Sequence, residues 1–133
     1  MPTLPATAEV VLAASQCRTT ITEAYQSMRP GLAAVAADSW GCEAGLGTDP
    51  QPSLYVTSVS TSADGVITVT ADEAAFPNTD ILATANQITL TPQDSAGTAF
   101  AVGTNNGQQV YQWVCGPGAN PMPLNYLPGS CRG

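Results

Sequence analysis

Four cysteines, Cys17, Cys42, Cys115 and Cys131, are the residues of this chain with the clearest capacity for chemistry. Their wide spacing fits disulfides better than a structural zinc site, whose ligands come in close pairs such as C-x-x-C. An even set of cysteines also points to an oxidising compartment. Three connectivities exist for four cysteines. Pairing neighbours along the chain, Cys17 with Cys42 and Cys115 with Cys131, closes two local loops and is the expected arrangement. The remaining side chains offer little to catalysis. No histidine and no lysine occur anywhere, which removes the commonest general base, every triad built on it, Ser-Lys dyads and Schiff-base chemistry. Asp72 and Glu73 are adjacent and should point to opposite sides of a strand end. Asp38, Glu43 and Asp49 form a loose acidic group, better read as a solvated loop than as a calcium site. No catalytic residue, metal site or cofactor is expected.

Charge narrows the partners. The formal net charge is −7, and the only cations are Arg18, Arg29 and Arg132. No basic patch could neutralise a row of phosphates, so nucleic acid is excluded as a partner of that kind. The chain is 44% hydrophobic and only 10% charged, too apolar for disorder. With 133 residues it should build one core. Its longest apolar run in the helical region is far below the roughly 20 residues of a membrane span.

The elements that must carry these cysteines follow from periodicity. Val10, Ala14, Cys17, Ile21, Ala24, Tyr25 and Met28 recur at steps of three and four, which predicts one amphipathic helix over residues 6–28. Thr7 is its expected N-cap, and Arg29-Pro30-Gly31 its stop. A connecting loop over 29–53 contains a second short helix, Leu32 to Asp38, and Cys42 as its anchor. Beyond it, four β-rich runs read as strands: Leu54 to Ser60, Val66 to Ala71, Gln87 to Thr91 and Gln108 to Cys115. Asp64-Gly65 marks a hairpin between the first two, and a meander is the simplest continuation. The result is an α+β layer in which the long helix covers one face of an antiparallel sheet spanning 54–115.

The tail Gly116 to Ser130 is rich in proline and glycine and carries no charge. It reads as a surface loop over 115–131, held at both ends by Cys115 and Cys131 and suited to contact a receptor. Its candidate contact residues are Asn120, Met122, Leu124, Asn125 and Tyr126. Trp113 and Tyr111 on the last strand read as packing residues.

At that strand, Trp113-Val114-Cys115, followed by Tyr126-Leu127-Pro128-Gly129-Ser130-Cys131-Arg132, resembles the C-terminal signature of bacterial type IVa pilins. With the helix EVVLAASQCRTTITEAYQS and the hairpin region VTSVSTSADGVITVTA, the resemblance runs from Glu9 to Arg132. It implies the pilin fold: a long N-terminal helix on a four-stranded antiparallel sheet, with a disulfide-closed C-terminal loop. By position, Cys115 and Cys131 resemble the bridge that defines the family's D-region, and Cys17 and Cys42 an extra bridge of some members.

The pattern departs at the start, where Pro5 stands in place of the Glu expected at the fifth mature position of a long apolar helix. The chain therefore resembles an N-terminally truncated, soluble head over 6–133, with 1–5 as an appended start, touching the inner membrane only through the absent helix. The implied function is a structural subunit of an extracellular filament, with other pilin subunits as partners and a host or abiotic surface receptor as a further one. Two rivals are a minor or tip pilin acting as an adhesin and a type II secretion pseudopilin; the YLPGSCR ending and the uncharged last loop disfavour the latter.

Overall fold

The computed structural model describes residues 3–76, 81–82, 84–118 and 120–122. The helix α1 spans Thr3–Ser27, beginning before the expected Ala6 and leaving Thr7 inside it rather than at its cap. Pro5 is compatible with this start, because the first-turn N–H groups of a helix have no intrahelical partner to lose. The predicted stripe is the buried face: Val10, Ala14, Cys17, Ile21, Tyr25 and Met28 are all buried, while Ala24 lies half-buried beside them.

Four strands follow: β1 (Val56–Thr61), β2 (Ile67–Ala71), β3 (Gln87–Gln93) and β4 (Gln112–Pro117). They form one antiparallel sheet in the order β1-β2-β3-β4, the meander that the hairpin signal implied. Ile67, Val69 and Ala71 face α1 together with Ile88 and Leu90, while the threonines between them turn outward, as strand alternation requires. In β1 the buried residues Val56 and Val59 are three apart, and the register shift between Val56 and Ser58 allows both to face the helix.

Proline positions explain how the last two strands end. Pro92 sits in β3 beyond its pairing with β2, which covers only Ile67↔Leu90 to Thr70↔Gln87, so its missing N–H costs the sheet nothing there. Its carbonyl instead accepts the Phe100 N–H at 2.8 Å, bringing Phe100 into the core. β4 starts later than the expected Gln108 and runs through Gly116 and Pro117, residues assigned above to a loop. An edge strand tolerates proline because only one of its sides must donate.

The expected second helix over Leu32 to Asp38 is absent; residues 32–36 are irregular and end in a turn. Seven residues without a cap are too few to overcome helix nucleation. Asn106 competes directly for the local carbonyls, its Nδ2 donating to Arg29 O at 2.9 Å and Leu32 O at 2.8 Å.

The connecting loop is fastened by the bond between Cys17 and Cys42, whose Cα atoms are 5.1 Å apart. Cys17 lies in the middle of the buried stripe, so the bridge fixes the loop to the helix at the core. A cross-link over 25 residues removes unfolded-state entropy that stabilises the fold by about 3 kcal/mol on the chain-entropy model. The double variant Cys17→Ala/Cys42→Ala is expected to lose about 3 kcal/mol in urea unfolding. A loss under about 1 kcal/mol would show that the loop is held without the bridge.

Candidate functional site

Two surfaces of the head carry organised side chains: the edge of the sheet at β1 and the groove between α1 and β4. The first is built by the connecting loop, which adds itself to β1 as a partial fifth strand. Ala44 and Val59 exchange backbone hydrogen bonds at 3.1 and 2.8 Å, and Asp38 N donates to Thr61 O at 3.1 Å. Asp38 adopts a left-handed backbone (φ 58), and its Oδ1 accepts the Thr61 N–H at 2.9 Å. The β1 edge is thereby covered, which removes a template for nonspecific strand pairing.

Glu43 organises that loop. Its Oε2 accepts from the Thr61 hydroxyl at 2.5 Å and from Trp40 N at 2.9 Å, and its Oε1 accepts from Gly41 N at 2.9 Å. Burial alone would raise its pKa, but these hydrogen bonds to the charged form outweigh it and hold the carboxyl below its ordinary value. Asp38 and Glu43 therefore meet at Thr61 as structural acceptors, while Asp49 stands apart and exposed. Among the described residues no group of acidic, cysteine or histidine side chains could hold a metal ion.

Trp40, drawn in by Glu43, is buried against Tyr25 with ring centroids 5.1 Å apart, and its Nε1 donates to Ser62 O at 3.0 Å. Tyr25 also packs edge-on against Phe100 at 4.9 Å and donates its hydroxyl to Asp64 O at 2.6 Å. Burial, then the nearby Asp64 carboxylate, pushes the Tyr25 pKa well above its ordinary value, so it is neutral and a donor at all physiological pH.

At the other end of the chain, Cys115 is buried and held in a disulfide. Cys131, Leu124, Asn125 and Tyr126 lie outside the described residues. Asn120 is half-buried: its carbonyl accepts from Asn86 N and Gln87 N at 3.0 and 2.8 Å, and its N–H donates to Gln87 Oε1 at 3.1 Å. Met122 is 2% exposed and belongs to the core, with its N–H on Gln87 O at 3.0 Å. The first stretch of the tail is thus fastened to the start of β3, with Met122 turned inward.

The second surface was not anticipated. Arg18, Thr19, Thr22 and Glu23 on α1 face residues 110–113 across an open groove of about 480 Å³. Trp113 forms its floor, half-buried, with Nε1 donating to Thr22 Oγ1 at 3.1 Å. Tyr111, read above as a packing residue, is 67% exposed. It lies one residue before β4, and among the described residues no layer covers it there. The i, i+4 spacing of Arg18 and Thr22 was a visible signal of one helix wall, but the strand facing it was not.

The described head is thus a helix laid across a four-stranded meander, with a cystine-fastened connecting loop and residues 120–122 hydrogen-bonded to the start of β3. Residues 6–132 match the family model described as "Pilin (bacterial filament)", and the chain belongs to that family. Its members are structural proteins that assemble with one another into extracellular filaments. No curated protein and no solved structure matches the chain. Among the described residues no helix is long and apolar enough to cross a membrane.

Because Glu43 is held below its ordinary pKa, it contributes stability that is present above the unfolded carboxyl value near 4.3 and is lost as pH falls through the lower folded value. Wild-type stability should drop below about pH 4.3, and Glu43→Gln should flatten part of that slope in urea titrations. An unchanged slope would remove Glu43 from the acid response.

Proposed function

We propose that this chain is the head domain, over 6–133, of a type IV pilin, and that the complete protein is the repeating subunit of a filament serving adhesion, twitching motility or DNA uptake. The observation that carries this reading is the family match over residues 6–132 combined with a 25-residue helix whose apolar stripe is sealed by the sheet. Such a head withstands an extracellular environment through covalent fastening of its loops, since a disulfide is maintained where the surroundings are oxidising.

In this reading, filament cohesion comes from an apolar helical extension preceding the head, and the D-region is the loop closed by Cys115 and Cys131. Receptor contact would fall to Leu124, Asn125 and Tyr126, because the described part of the tail is committed to β3 and the core.

The test is to express the native gene, with whatever it encodes ahead of the head, in a pilin-deleted strain that keeps its assembly machinery. Electron microscopy with antibody against this head should show filaments labelled along their length. Label confined to filament tips would make the protein a tip adhesin, and the absence of filaments would reject the subunit role.

A further inference from the structure

The groove between α1 and β4 joins the three side-chain types that dominate protein–protein hot spots: a guanidinium, an exposed phenol and a half-buried indole, from Arg18, Tyr111 and Trp113. Arg18 is exposed and, among the described residues, has no ion pair, although the chain carries a net charge of −7. Copies of so acidic a chain repel one another, so a contact between them favours placing a rare cation against a neighbour's carboxylate.

A complementary patch stands at the other edge of the sheet. Leu54, just before β1, is 68% exposed. Gln51 Nε2 ties its carbonyl to the Asp72 carboxylate, at 3.4 and 3.2 Å, and Asp72 caps the short turn of helix that begins at the exposed Glu73. This corner therefore presents an apolar knob beside Asp72, held by Gln51 and by the Ala74 N–H, and the exposed Glu73, on the β1 side of a sheet whose opposite edge is β4.

We infer that the Leu54–Glu73 corner of one copy docks into the Arg18–Tyr111–Trp113 groove of the next, with Glu73 paired to Arg18. The two patches differ and lie at opposite edges, so the contact is head-to-tail rather than two-fold; such a contact yields a ring where its rotation closes and an open helical array where it does not, and the filament reading selects the array. The aromatic floor buries Leu54, and Arg18, which makes no ion pair with the exposed Glu23 that shares its groove, is left to answer the acids of the next copy. The inference rests on the filament reading and specifies the lateral contact between heads.

The experiment is a charge swap in the native full-length protein, read as filament mass sheared from cells in the strain described above. Arg18→Glu and Glu73→Arg should each lower filament yield by about tenfold or more, because like charges then face each other at the contact. The double variant Arg18→Glu/Glu73→Arg should restore most of the yield. Tyr111→Ala, in a position that is exposed in the single head, should weaken filaments while leaving the head's melting temperature unchanged. Wild-type yields for the single variants, or a double variant no better than either single one, would overturn this contact while leaving the filament reading standing. Failure of the wild-type protein to form filaments would overturn both.

Discussion

Tyr25 is the point on which the head depends. It closes the last turn of α1, and its ring lies between Trp40 from the connecting loop and Phe100 from the segment after β3, while its hydroxyl holds the β1–β2 turn at Asp64. Its own carbonyl accepts the Gly107 N–H at 2.8 Å, so a fourth segment reports to the same residue. The turn can come this close only because residue 65 is glycine: with φ +87, a Cβ there would stand 3.0 Å from Ile21 Cγ2 and 3.4 Å from the Tyr25 ring. A side chain at that position would meet both backbone strain and the buried helix face.

From that point the loop architecture follows. Trp40 is delivered to Tyr25 by Glu43, which gathers two backbone N–H groups and the Thr61 hydroxyl; Cys42, between them in sequence, is bonded to Cys17 two turns earlier on the helix. Covalent, electrostatic and aromatic fastening thus converge on a stretch with no regular secondary structure of its own. A loop of this length in a small domain is otherwise expensive to order. Fixing it lets the β1 edge be covered at residues 59–61, while among the described residues the groove beside β4 stays open.

The helix stripe and the meander were legible because each is a local pattern: Val10 to Met28 repeat with helical period, and Asp64-Gly65 announces its own turn. Cys17 with Cys42 was legible because few pairings exist. Other features depended on partners distant in sequence. Leu32 to Asp38 looks helical until Asn106 takes the Leu32 carbonyl, and Glu43 looks like a solvated acid until Thr61 is brought beside it. Tyr111 and Trp113 share one face of the chain, yet only the position of Thr22 and the end of the sheet decide that one is tied down and the other left in the open. The family was readable from the ending around Cys131, whereas the groove required the fold.

The central claim is that helix, hairpin and connecting loop form one cooperative unit closed at Tyr25. Native-state hydrogen exchange tests it most directly. The account predicts that the amides of α1 from Ala14 to Tyr25, those of β2 and the Val59 amide bonded to Ala44 exchange together, at the slowest rate in the molecule and with the same dependence on denaturant. A helix that opens separately, well below the free energy at which β2 exchanges, would contradict it.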